Sequence, residues 1–215
     1  MTPQEASAKS REICLLAPVI PVLVVDDAGS AASLAKALVA GGLPALEVTL
    51  RTPAALDAIR AMADVEGGVV GAGTLVTPAD VRAAKAAGAK FGVSPGATDA
   101  LLKACEDEDL PLLPGAATAS EAMKLLERGY DVMKFFPAEA SGGAPALKAI
   151  GGPLPQISFC PTGGVSTGNL NDYLSLPNVL CAGGSWVAPA SLVDAGEWDQ
   201  IEKLAADAIT LAGKG

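Results

Sequence analysis

Short apolar runs alternate with Ala- and Leu-rich amphipathic stretches along almost the whole chain. Residues 1–16 read as a polar start followed by a short helix that ends before Pro18. Val19–Val25 (VIPVLVV) is nearly all apolar and stops at Asp26-Asp27, as expected of a strand covered on both faces. Ser30–Ala40 follows as a helix halted by Gly41-Gly42. The unit then recurs. Strands are predicted at Ala45–Leu50, Val69–Leu75, Phe91–Pro95 and Pro111–Ala116, with helices after them at Pro53–Ala63, Pro78–Ala87, Asp99–Cys105 and Ser120–Arg128. Asp131–Phe136 with Ala144–Ile150, Ile157–Thr162 with Asn169–Leu176, and Val179–Gly184 with Trp198–Ala212 complete the series.

Eight strand–helix units without a strand-only or helix-only block imply a parallel sheet with right-handed crossovers. The expected fold is therefore α/β: a single-domain (β/α)8 TIM barrel spanning residues 1–215, with a short N-terminal helix. An open doubly wound sheet is the competing architecture, but no G-x-G-x-x-G follows the first strand. No linker or low-complexity tract divides the chain.

Composition narrows the chemistry. A net charge of -9 without a basic run argues against nucleic acid or an anionic membrane as partner. The longest uncharged apolar stretch, Cys14 to Val25, holds two prolines and is too short to span a bilayer. No secretory leader is evident, and a cytoplasmic location is expected. Histidine is absent, which removes Ser-His-Asp and Cys-His catalysis and argues against a metal site. Cys14, Cys105, Cys160 and Cys181 lack C-x-x-C spacing and read as small buried hydrophobes.

In a barrel the chemistry lies at the C-terminal ends of the strands. The outstanding residue there is Lys134, in Met133-Lys134-Phe135-Phe136-Pro137. An ammonium among apolar neighbours is costly unless it is paired or reaches water, and such a lysine loses its proton readily and attacks carbonyls. An edge lysine snorkelling to water is the plain alternative. Glu47, Thr49 and Arg51 share one face of the second strand, and a buried Glu–Arg pair fixing the loop is open there beside a role towards a ligand. Gly71-Ala72-Gly73-Thr74 leaves room beside a hydroxyl, whereas Ser94-Pro95-Gly96 and Pro114-Gly115 read equally as plain turns. Thr162-Gly163-Gly164 and Gly183-Gly184-Ser185 are Gly-rich turns after the last two strands, where barrels commonly hold phosphate on backbone amides. A lysine with a carboxylate suits iminium chemistry on a keto acid. Arg51 and Thr74 are placed to hold its carboxylate, and the Gly-rich turns a phosphate.

These segments resemble bacterial 2-keto-3-deoxy-6-phosphogluconate (KDPG) aldolases, class I aldolases of the Entner–Doudoroff pathway. The carrying motifs are Leu46-Glu47-Val48-Thr49-Leu50-Arg51-Thr52, Val70-Gly71-Ala72-Gly73-Thr74, Val93-Ser94-Pro95-Gly96, Lys134-Phe135-Phe136-Pro137-Ala138-Glu139, Cys160-Pro161-Thr162-Gly163-Gly164 and Gly183-Gly184-Ser185-Trp186. The resemblance runs from about Pro18 to the C-terminal helix. It implies that Lys134 forms the Schiff base and that Glu47 is the general acid/base. It implies further that Arg51 and Thr74 bind the pyruvyl carboxylate, and that Gly163, Gly164, Gly184 and Ser185 bind phosphate. Pro95, Phe136 and Thr162 would line the pocket. A phosphorylated 2-keto-3-deoxy sugar acid as substrate, pyruvate as product, no cofactor and a homotrimer are what it leads us to expect. Aldol cleavage of 4-hydroxy-2-oxoglutarate (KHG), a galactonate-type aldolase and a barrel carrying pyridoxal phosphate on Lys134 are the alternatives.

Overall fold

The computed structural model describes residues 1–213; the last two residues of the expected 1–215 domain lie outside the described residues. Helix α1 (Pro3–Cys14) begins earlier than the polar start suggests, because Thr2 and Glu5 form a reciprocal capping box and Pro3 supplies a ready-made first turn. Its Ser7 accepts the N–H groups of Asp131 and Val132, and its Ser10 donates to Leu112 O at 3.0 Å. Arg11 reaches Asp131 and Ser158. All these partners start strands, so α1 covers the end of the sheet opposite the expected site.

The strands are β1 (Val19–Leu23), β2 (Ala45–Thr49), β3 (Val69–Gly73), β4 (Phe91–Val93), β5 (Leu112–Leu113), β6 (Gly115–Ala116), β7 (Val132–Phe135), β8 (Ser158–Pro161) and β9 (Ala182–Gly184). Every pairing is parallel. The order β5-β4-β3-β2-β1-β9 makes one six-stranded piece, and β6-β7-β8 makes a second of three strands. The result is an α/β fold with a curled parallel sheet, where the sequence pattern predicts one ring of eight strands. Two features divide it. Pro114 has no N–H to donate and splits the predicted Pro111–Ala116 strand into β5 and β6, although its carbonyl still accepts Lys134 N–H at 2.9 Å. At the other junction only two isolated parallel bridges, Phe159 with Val179 and Thr162 with Gly183, join β8 to the β9 segment.

Helices α2 (Ala31–Ala40), α3 (Ala55–Ala63), α4 (Pro78–Ala86), α5 (Asp99–Asp107), α6 (Ala119–Arg128), α7 (Gly143–Gly151), α8 (Leu170–Leu174), α9 (Ala190–Ala195) and α10 (Trp198–Ala212) follow the strands. Thr77, Thr98 and Thr118 cap α4, α5 and α6, each contributing about 1 kcal/mol. The extra helix α9 is absent from the sequence reading; ASLVDA is too short to show a period. Among the described residues, no helix is long and apolar enough to cross a membrane.

Strand alternation sorts the apolar residues into two cores. The larger lies between strands and helices and takes Met133 and Phe135 from β7; Phe135 meets Phe159 edge-on, with ring centroids 6.2 Å apart. The smaller gathers Ile20, Ala45, Phe91, Val93, Leu113 and Val132 inside the curl, with Cys14, Cys160 and Cys181. Val132 and Lys134 share a strand face, so Lys134 extends the inner layer towards the strand ends.

Candidate active site

Lys134 is held from both sides, with Gly115 as its register partner on β6 and Cys160 on β8. Its Nζ lies 3.1 Å from Oε1 of Glu47 and 5.3 Å from the centroid of the Phe136 ring. The lysine is 5% exposed and the glutamate 3%. The snorkelling alternative is therefore not what the side chain does. Desolvating two charges costs several kcal/mol per ion, so such a pair is a poor device for stability alone.

Glu47 comes from β2, opposite Val22 on β1 and Gly71 on β3. Its carboxylate occupies space that a side chain at residue 73 would fill: a Cβ on Gly73 would stand 2.2 Å from Oε1 and 2.6 Å from Cγ. The loop-fixing Glu–Arg pair is not formed, since Glu47 meets Lys134 instead. Thr49 is buried and spends its hydroxyl on Leu23 O at 2.9 Å.

Arg51 is exposed and, among the described residues, makes no ion pair or side-chain hydrogen bond. It borders a cavity of about 340 Å³ shared with Phe136, Thr162, Gly163, Gly164 and Ser185. Phe136 connects the two halves of the site, facing this cavity and standing over Lys134 Nζ. Gly163 and Gly164 have φ of +99° and +82°, which other residues rarely adopt. Thr162 is buried, its Oγ1 4.0 Å from Cys160 Sγ and 2.3 Å from where a Cβ on Gly183 would stand.

The remaining predicted residues lie elsewhere. Thr74 and Pro95 end neighbouring strands, outside that cavity's lining. Thr74 is a β-branched residue at φ +62°, a conformation costing about 1–3 kcal/mol that tends to occur at functional sites. Pro95 packs by its backbone on Gly115, whose missing side chain makes room for it. Gly184 sits under Trp186, where an added Cβ would stand 1.9 Å from the indole ring, and Gly183 borders the cavity in its place. Sequence reasoning did not single out Val22, Val24 and Val165, which also border it. Nothing distinguishes these valines from core residues in the sequence.

All four cysteines are buried. Three of them, distant in sequence, meet inside the curl because α1 brings Cys14 beneath β8 and β9. Burial pushes the Cys105 thiol up to about 12. Among the described residues, no group of three His, Cys, Asp or Glu side chains is arranged to hold a metal ion.

The site so arranged can move a proton between a buried amine and a carboxylate, beside an open cavity bordered by Arg51 and a Gly-rich turn. Comparison with known proteins fits that chemistry. A family model described as "KDPG and KHG aldolase" matches residues 11–204. The 2-dehydro-3-deoxy-phosphogluconate aldolase of Pseudoalteromonas atlantica is 53% identical over 201 residues, covering 93% of this chain and 94% of that protein. Among solved structures, the 2-keto-3-deoxy-6-phosphogluconate aldolase of Zymomonas mobilis with 3-phosphoglycerate superposes with a TM-score of 0.91 at 47% identity, over 95% of this chain and 97% of that one. The KDPG aldolase of Legionella pneumophila, with pyruvate captured at low pH as a covalent carbinolamine intermediate, gives 0.90 at 46% identity, over 93% and 97%.

Proposed function

The chain belongs to the KDPG and KHG aldolase family, and from that membership we propose that it cleaves 2-keto-3-deoxy-6-phosphogluconate to pyruvate and glyceraldehyde 3-phosphate through a Schiff base on Lys134. The observation that carries this reading is the buried Lys134–Glu47 pair at 3.1 Å. An ammonium cannot attack a carbonyl. Passing one proton from Nζ to the carboxylate leaves a neutral amine and a neutral acid in contact, without bringing charge in from solvent. The amine adds to the C2 carbonyl; Glu47 returns its proton to the carbinolamine oxygen, then relays a second proton from the nitrogen, and the oxygen carrying both leaves as water. The resulting iminium is the electron sink. Glu47, now a carboxylate, takes the C4 hydroxyl proton as the C3–C4 bond breaks; the bonding pair flows into the enamine and the aldehyde departs. Protonation at C3 and hydrolysis release pyruvate and regenerate the amine.

Arg51 is the cation available for the substrate carboxylate, and Thr74, which follows β3, is the hydroxyl assigned to it. The amides of Gly163, Gly164, Gly184 and Ser185 take the phosphate, while Pro95, Phe136 and Thr162 shape the pocket. No cofactor enters the scheme. The curled sheet is read as a closed (β/α)8 barrel in one domain, supported by the two bridges to β9 and by β5 and β6 being one strand interrupted at Pro114. Family resemblance supports a cytoplasmic homotrimer working in the Entner–Doudoroff pathway. Light scattering should then give three times the 21.3 kDa chain mass.

Because the family model covers both substrates, kcat/KM for KDPG and for KHG decides between them. KDPG should give equimolar pyruvate and glyceraldehyde 3-phosphate and be the faster substrate. A reversed preference would make KHG the main substrate, and no cleavage of either would refute the reading.

A further inference from the structure

Both carbonyls of the Gly163–Gly164 turn are held from outside the cavity. Glu139 N–H donates to Gly163 O at 3.0 Å, and Asn169 Nδ2 donates to Gly164 O at 3.1 Å. In a trans peptide the C=O of one residue and the N–H of the next point in opposite directions. Anchoring the two oxygens outwards therefore turns the N–H groups of Gly164 and Val165 the other way, towards the side where Val165 borders the cavity. Among the described residues, neither of these N–H groups donates to another protein group.

Glu139 does more than lend its amide. Its Cβ and Cγ lie flat against Gly164, only 2.7 and 2.5 Å from where a Cβ on that glycine would stand. Beyond them, the carboxylate accepts a hydrogen bond from the hydroxyl of Tyr173, a buried residue of α8. Tyr173 and Glu139 both face a separate outer groove of about 700 Å³ behind the turn. The tyrosine thus fixes the glutamate at its tip, and the glutamate's stem braces the back of the turn. Its negative charge is drawn to the outer side, away from an anion bound within.

We propose that Glu139, locked by Tyr173, is a positioning residue that sets the N–H groups of Gly164 and Val165 for a phosphate and so sets the preference for phosphorylated over unphosphorylated keto acids. The proposal rests on the phosphate reading of the cavity given above. It touches neither the amine nor the proton transfer. Loosening the brace therefore weakens phosphate binding and leaves cleavage of a substrate without phosphate intact.

The test compares Tyr173→Phe, Glu139→Ala and Glu139→Gln by steady-state kinetics on KDPG and KHG, with inorganic phosphate as a competitive inhibitor. Losing a hydrogen bond to a charged acceptor should raise KM for KDPG about ten- to hundred-fold in Tyr173→Phe. Glu139→Ala should do at least as much, and the phosphate inhibition constant should rise in parallel. kcat on KDPG and kcat/KM on KHG should stay within about twofold of the parent. Glu139→Gln keeps the stem and an acceptor for the tyrosine, so it should retain near-parental KM. Glu139 is exposed, so its variants report even where Tyr173→Phe fails to fold. Equal losses on both substrates, or no change in phosphate inhibition in Glu139→Ala, would overturn the positioning role. If the parent enzyme itself is not inhibited by phosphate, the phosphate reading falls first and the proposal falls with it.

Discussion

Gly73→Ala is the most economical perturbation of the site, because it alters no residue with a chemical role. The backbone at Gly73 lies outside the left-handed region, so alanine is conformationally allowed. Its methyl is the difficulty: the carboxylate oxygen of Glu47 would have to retreat from 2.2 Å to an ordinary contact of at least 3.4 Å, a displacement of about 1.2 Å. Oε1 is now 3.1 Å from Lys134 Nζ, so a shift of that size in most directions breaks the hydrogen bond. A misplacement of about 1 Å in a reacting group costs up to about 10²-fold in rate. Crowding a packed interior adds about 1–3 kcal/mol of destabilisation. We expect kcat for pyruvate release, followed with a lactate dehydrogenase coupling assay, to fall about 10- to 100-fold in a folded variant with a lowered Tm. Gly152→Ala is the control, since its Cβ would meet nothing nearer than 3.6 Å. The decisive version is a double-mutant cycle. If Gly73→Ala acts through Glu47, it should cost little further activity in a Glu47→Gln background. Additive losses, or full activity in the single variant, would refute the reasoning.

Glu47→Gln keeps shape but cannot exchange a proton, so kcat should fall about 10²- to 10⁴-fold, while slow borohydride trapping with pyruvate persists. Activity should survive exhaustive chelation, because the iminium supplies the electron sink and the chain offers no histidine; recovery on adding Zn²⁺ or Mg²⁺ after a loss would contradict this. Acid should act partly through Glu121, whose carboxyl is held below its ordinary 4.5 by N–H donors from Ala117 and Thr118. A depressed folded-state pKa gives stability that is present above about 4.5 and lost as pH falls through the folded value. Glu121→Gln should therefore lower Tm at pH 7, with the gap to the parent closing as the pH falls below 4.5.

The strand–helix period was legible in the sequence because the strands are buried on both faces and most helices are bounded by Thr, Pro or Gly. Boundaries slipped where local chemistry outweighed the pattern. The Thr2–Glu5 box starts α1 early, and Pro114 divides one predicted strand in two. Lys134 was conspicuous because a lysine in an apolar strand is costly. Its partner was harder to identify: Glu47 and Arg51 are close in sequence, whereas Glu47 and Lys134 are 87 residues apart. Long-range meetings leave no spacing to read. The same holds for the gathering of Cys14, Cys160 and Cys181, and for Tyr173 reaching Glu139 from α8. Gly73 shows the limit from the other side. It reads as a small residue leaving space, but only the structure shows that the space belongs to Glu47.

The central claim is that Lys134 is the nucleophile, and reductive trapping tests it directly. Incubation with pyruvate and borohydride should inactivate the protein irreversibly, adding one lactyl-sized mass per chain. Peptide mass analysis should place that mass on Lys134, and Lys134→Ala should take up none. A label on Lys36, Lys103 or any other lysine, or undiminished trapping in Lys134→Ala, would contradict the account.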